Sequence, residues 1–194
     1  MSLRPFSTLA LGLTLTLAGA SESFAKPTPF ILGEDRFEIE VPASWQSPKD
    51  FYGFPLSLIG PETPEGRRTV IGITPAGAAD EEKVFDQGDK ALKSYMAGRE
   101  AWLEQYDGKS ISFDPYRKTS WPGIEEAHTL GYHYELPTGT FYERSLFILC
   151  NGRRLLHIKT LVTAQREKTD QKIVDDTLRT LKCTSSATSG GKKK

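Results

Sequence analysis

Apolar residues change their spacing along this chain, and each change predicts a different element. Phe37, Ile39 and Val41 alternate with Glu38 and Glu40, the period of a strand with one buried face, and Pro42 ends the run. Trp45 follows in a loop rich in Ser, Pro and Lys. Two short apolar runs, 56–59 and 70–74, flank the segment GPETPEGRR, whose Gly and Pro residues predict a hairpin with a loose tip. Over 80–106 the spacing lengthens. Val84, Ala91, Tyr95, Trp102 and Tyr106, widened by Phe85, Leu92, Met96 and Leu103, make the stripe of a long amphipathic helix. Asp80, Glu81 and Glu82 suit the positive end of its dipole, and Gly108 offers a left-handed stop. Gly88 and Gly98 each weaken such a helix by about 1 kcal/mol relative to Ala. Their place on or beside the stripe reads as allowance for close approach to a sheet.

The second half reads as a meander. Strands are expected at 110–116, 124–135, 141–149 and 155–163, with turns at Trp121-Pro122-Gly123, at 136–139 and at Asn151-Gly152. A two-residue turn there sets Cys150 opposite Arg153, Ile148 opposite Leu155 and Phe147 opposite Leu156. One face then gathers Phe141, Phe147, Leu149, Leu156, Ile158 and Val162, the other Tyr142, Leu146, Ile148, Leu155 and Leu161. Both faces are apolar, so both need a cover. The long helix covers one. A final helix over about 169–182, with Ile173, Val174, Leu178 and Leu181 inward, covers the other. The expected fold class is α+β: one antiparallel sheet with helices on both faces, an α/β/α sandwich over 34–183, preceded by a lead-in at 26–33 and followed by a polar tail at 184–194.

Composition narrows the partners. The 194 residues carry 25 Lys+Arg against 25 Asp+Glu, a balance that argues against nucleic acid. Residues 1–25 add a compartment. Arg4 precedes an apolar run, and Ser23 and Ala25 are the small residues a signal peptidase needs, so this segment reads as a cleavable secretory signal rather than a membrane span. The mature domain is expected to be periplasmic or secreted, with no transmembrane segment. There the two cysteines can oxidise. Cys150 sits at the hairpin tip, and the final strand and helix run out and back, bringing Cys183 toward it. The bond would contribute about 3–4 kcal/mol.

Candidate chemistry is sparse. His128 and His133 are an odd number of residues apart, so on one strand they point to opposite faces, unless Gly131 introduces a bulge. Glu125 and Glu126 lie close by, and His128 or His133 with one of them is the constellation a small hydrolase or metal-dependent enzyme would use. His157 reads as an ordinary sheet position. Hydrolase elbows, zinc-helix motifs and nucleotide loops do not occur in the sequence, and no cofactor is implied. Arg67, Arg68, Arg153 and Arg154 lie at two hairpin tips and would make a basic patch if those tips met. The ring-rich segment PKDFYGFPL is more suggestive. Phe51, Tyr52 and Phe54 stand amid Pro and Gly, where they either tuck over a sheet edge or form a binding lip, with Trp121 as a further candidate.

The order of elements, the motif F-x-I-x-V-P…W at Phe37 to Trp45, the Gly/Pro-rich tip at 60–66 and the closing strand–helix pair resemble the PsbP-like superfamily, which includes the DcrB-like proteins of the bacterial periplasm. The resemblance spans about 34–182. It implies an α/β/α sandwich and an accessory or binding role without a catalytic centre. The expected function is therefore an exported, non-catalytic protein that binds a protein or envelope component. A structural envelope protein, with Lys192, Lys193 and Lys194 on an anionic surface, is a further reading.

Overall fold

The computed structural model describes residues 27–32, 35–76, 87–150 and 154–184. The chain begins with strands β1 (Thr28–Leu32), β2 (Asp35–Ile39), β3 (Lys49–Phe51), β4 (Phe54–Ile59) and β5 (Val70–Ala76). Helix α1 (Asp89–Glu104) leads into β6 (Lys109–Phe113), β7 (Arg117–Trp121), β8 (Ile124–Leu136), β9 (Gly139–Cys150) and β10 (Arg154–Thr163). Helix α2 (Glu167–Arg179) and the short β11 (Lys182–Thr184) complete it. An antiparallel eight-stranded sheet has the order β3-β4-β5-β10-β9-β8-β6, with β7 also pairing to β8. The expected single sheet is corrected here, because β2 does not join it. Instead β2 lies between β1 and β11 in a separate three-stranded sheet. The signal at 1–25 and residues 185–194 of the polar tail lie outside the described residues, while Thr184 ends β11.

The β9–β10 pairing differs by one residue from the expected register. Arg154 faces Cys150, Leu156 faces Ile148, His157 faces Phe147 and Ile158 faces Leu146. Three residues therefore connect the strands where two were expected. The physical reason lies further along, since the expected register would set Lys159 against Arg144, two cations in direct opposition. A one-residue slip exchanges faces. Leu156, Ile158 and Val162 consequently join Leu146 and Ile148, not Phe141 and Phe147, in the larger core cluster. That cluster also holds Phe37 and Ile39 of the small sheet and Val174, Leu178 and Leu181 of the α2 region. The opposite face packs against α1 in two smaller clusters, Leu130 and Phe147 with Ala91, and Tyr132 and Tyr134 with Leu103.

Helix α1 begins at Asp89, after Gly88 with φ 51°, and residues 80–86 of the expected helix lie outside the description. Its stop is a left-handed Asp107 (φ 54°), not Gly108, whose N–H instead donates to the Leu103 carbonyl at 2.9 Å. The expected strand at 110–116 ends at Phe113, and β7 follows unforeseen because its mostly exposed RKTSW sequence has no apolar alternation. Among the described residues no helix is long and apolar enough to cross a membrane.

Gly98 does not permit close packing as its position suggested: a Cβ built there meets nothing within 4 Å. Gly98→Ala should therefore raise the unfolding free energy by about 0.5–1 kcal/mol in urea titrations, through helix propensity and a less flexible unfolded chain.

Candidate functional site

Residues Phe51 to Phe54 close the β3–β4 hairpin with Tyr52 and Gly53 at its tip. Phe51 and Phe54 pair across it, and Tyr52 and Gly53 take φ 51° and 77°. Those angles belong to the two-residue turns that match strand twist, which favour Asn-Gly. Tyrosine is costly there, by about 1–2 kcal/mol, because its Cβ crowds the following carbonyl. The side chain held in this conformation is 82% exposed and meets the Phe51 ring edge-on at 4.4 Å between centroids. Phe54 turns the other way and lies over Gly72. A Cβ at Gly72 would fall 2.5 Å from that ring, so the missing side chain in β5 is the seat for Phe54.

These three rings border a cleft of about 480 Å³ whose walls include Val70, Phe141, Leu161, Arg67, Arg68, Glu143 and Lys159. Arg67 places its guanidinium 5.2 Å from the centre of the Phe141 ring. Its nitrogens occupy the space a Cβ on Gly139 would need, so the glycine admits the arginine. Glu143 is 5% exposed, and a buried carboxylate requires partners. It has two, Arg99 of α1 and Lys159 of β10, each at 3.3 Å. Burial first, and then the Glu143 charge, raises the hydroxyl pKa values of Tyr95, Tyr132 and Tyr134, so these phenols stay protonated. The arrangement can hold an apolar body against rings and a charged group beside Arg67; among the described residues nothing in it supplies a nucleophile and its base together. Phe51, Tyr52 and Phe54 were visible in the sequence as a dense group of rings. Glu143 and Lys159 were missed, though a charge in the middle of each of two apolar strands was the available signal.

Other expected residues lie elsewhere. Trp121 packs against the larger core cluster and lines a separate cleft of about 590 Å³ with Arg144, Asp175 and Arg179, so it does not join the three rings. His128 and His133 do point to opposite faces, and the β8–β9 register runs unbroken through Gly131, without a bulge. His128, only 1% exposed, lies between the Tyr116 hydroxyl on Nδ1 and the Glu126 carboxylate on Nε2, both at 2.5 Å. Lys118 first, then His128, holds the Glu126 carboxyl below its usual range. Glu125 is exposed, while His133 meets Glu167 at 3.0 Å and stacks on Tyr142. Neither histidine lines the cleft at Phe51–Phe54 or the one at Trp121. Among the described residues no three His, Cys, Asp or Glu side chains are grouped to hold a metal ion.

The basic patch is also corrected. Val70, just after Arg67 and Arg68, pairs with Leu161, whereas Ala76 at the other end of β5 pairs with Leu155, beside Arg154. Arg67 and Arg68 therefore belong to one end of the β5–β10 ladder and the backbone of Arg154 to the other, about 20 Å apart along the strands. Arg153, the side chain of Arg154, the side chain of Cys150 and Lys192–Lys194 lie outside the described residues.

No family model and no curated protein matches the sequence. Solved structures do share its fold. LpqN of Mycobacterium tuberculosis, described as involved in cell envelope biogenesis, superposes with a TM-score of 0.57 at 13% identity, over 82% of this chain and 91% of that one. Cyanobacterial PsbP (CyanoP) from Synechocystis sp. PCC 6803 gives 0.54 at 11% identity, over 89% and 100%. The fold is thus PsbP-like: an α+β arrangement with an antiparallel sheet and helices on its two faces.

His157 stacks on Phe147 at 4.6 Å on the same face of the sheet as the cleft. Burial, followed by the charges of Lys159 and Arg99, pushes its pKa down to about 4. The unfolded chain, with a histidine near 6.5, binds this proton before the folded one does. The stabilisation is therefore complete above about pH 6.5 and is lost as pH falls toward 4, by on the order of 3 kcal/mol at most. Urea midpoints measured across that window should fall steeply for the wild type and less steeply for His157→Gln.

Proposed function

We propose that this chain is an exported, non-catalytic binding or accessory protein of the bacterial envelope, and that it captures its partner with the aromatic lip of Phe51, Tyr52 and Phe54. The observation that carries this reading is Tyr52, an exposed ring maintained in a backbone conformation that its own residue type disfavours. Strain of this kind concentrates at functional positions. The cleft behind it lies within the usual size of ligand sites, roughly 300–1,000 Å³. Export is supported by the signal-like pattern at 1–25, and an envelope location agrees with the description of LpqN.

The same reading includes a Cys150–Cys183 disulfide. Cys150 and Cys183 are the two cysteines of the sequence. The backbone supports the pairing. Gly123, at the turn before β8, approaches Leu181 and Lys182, while Glu126 in the same strand pairs with Leu149 beside Cys150. Both cysteines thus flank one corner of the sheet.

Two measurements test the proposal. Tyr52→Asn relieves the turn, so stability should stay level or rise by about 0.5–1 kcal/mol while capture of the partner from cross-linked envelope fractions is lost. The exposed-ring control Tyr106→Asn should retain capture. Equal capture by Tyr52→Asn and wild type would remove the lip from the function. Mass spectrometry of the exported protein should find a peptide pair linked through Cys150 and Cys183, and alkylation of both thiols without prior reduction would refute the bond.

A further inference from the structure

The cleft at Phe51–Phe54 has a charge pattern as well as a shape. Of its three lining cations, two have partners. Arg68 meets Glu62 at 2.7 Å and donates to the Gly60 carbonyl, and Lys159 meets Glu143 at 3.3 Å. Arg99 satisfies Glu143 from its other side. Arg67 differs. Among the described residues its guanidinium makes no ion pair and lies over the face of Phe141, against Gly139. The carboxylate two residues before it, Glu65, is exposed and accepts from its own backbone and from Thr63; Arg67 acts on it through its charge, without an ion pair. One cation thus stands without an ion pair beside a pocket walled by Phe51, Phe54, Phe141, Val70 and Leu161.

We infer that this cleft binds a small anionic amphiphile, its apolar body against the rings and its single negative group on the Arg67 guanidinium; the inference rests on the cleft being the functional site proposed above. Chemistry sets the charge type. A planar guanidinium presents N–H groups in a fork that fits carboxylate, sulfate or phosphate oxygens. The buried Glu143 carboxylate limits the charge, because a second anion driven deeper would approach it. The apolar walls set the body, which must be long or flat enough to cover the rings. Tyr52 at the rim lies where it can close over that body once it is seated. A cationic amphiphile finds no free carboxylate in the pocket, and a small hydrophilic anion leaves the ring surface wet.

Titration calorimetry on the exported protein tests this with dodecanoate below its micellar concentration. Dodecanoate should bind one to one and at least about tenfold more tightly than dodecyltrimethylammonium or dodecyl maltoside, while acetate should not compete. Arg67→Gln should weaken dodecanoate about tenfold to a hundredfold, the range expected for a lost charge-assisted hydrogen bond. Arg67→Lys should recover part of it, and Lys93→Gln on the exposed side of α1 should change nothing. Equal binding of the cationic and anionic chains, or wild-type binding by a folded Arg67→Gln, would overturn the inference.

Vesicles separate the two sources of such a molecule. Sedimentation with phosphatidylglycerol vesicles that dodecanoate reverses supports a bilayer lipid. Dodecanoate binding without sedimentation supports a free amphiphile. Sedimentation that ignores Arg67→Gln counts against the site. If wild type ignores dodecanoate while Tyr52→Asn still abolishes envelope capture, the amphiphile is wrong and the aromatic lip stands. If Arg67-dependent binding of dodecanoate persists while Tyr52→Asn captures normally, the reverse holds.

Discussion

Strands β9 and β10 must bury side chains on both faces, and the rest of the molecule is arranged to satisfy that demand. Neither face can be left to water, because Leu146, Ile148, Leu156 and Ile158 occupy one and Phe147, Phe141 and Leu161 the other. Burial of each large apolar side chain contributes about 1.5–3 kcal/mol, so leaving either face open would forfeit much of a domain's net stability. Two different covers result. Helix α2 and the small three-stranded sheet close one face with Phe37, Ile39, Val174 and Leu178, whereas α1 closes part of the other with Ala91, Leu103 and the rings of Tyr95 and Trp102.

The face under α1 also carries a buried charge. Glu143 is buried there and held between Arg99 and Lys159, so the ion pairs join helix α1 to strands β9 and β10. Removing both cations would leave a buried charge uncompensated, which costs far more than the pairs themselves contribute. These pairs also divide the face. On one side α1 packs over Tyr132 and Tyr134. On the other lies the cleft bordered by Phe51, Phe54 and Phe141. The charged seam thus serves as both an attachment for the helix and a wall of the pocket.

Much of this organisation was legible in the sequence, for reasons that also mark where legibility ends. Alternation of apolar residues revealed β2, short apolar runs revealed β4 and β5, turn signals marked off β6, β8, β9 and β10 as a meander, and helical spacing revealed α1 and α2. The β9–β10 faces were misread because Asn-Gly followed by two arginines does not state its own turn length, and a single residue decides every partner. The small sheet was invisible because β11 has only three residues and its partner lies at the other end of the domain. At the site, the rings of Phe51, Tyr52 and Phe54 were conspicuous. The cleft was not, since Arg67, Phe141 and Lys159 meet only through strand pairings distant in sequence. Trp121 was grouped with the rings by residue type alone, and the fold assigns it to another cleft.

The small sheet has a consequence for how the polypeptide matures. Phe37 of β2 pairs with Cys183 of β11, almost the whole described chain away. A ribosome or translocation channel delivers the amino end first, so Phe37 and Ile39 emerge long before the strand and helix that shelter them exist. Contacts of such long range form slowly, and exposed greasy segments invite association with other chains in the interval. The amino-terminal strands therefore complete their burial only after the α2–β11 segment has been released.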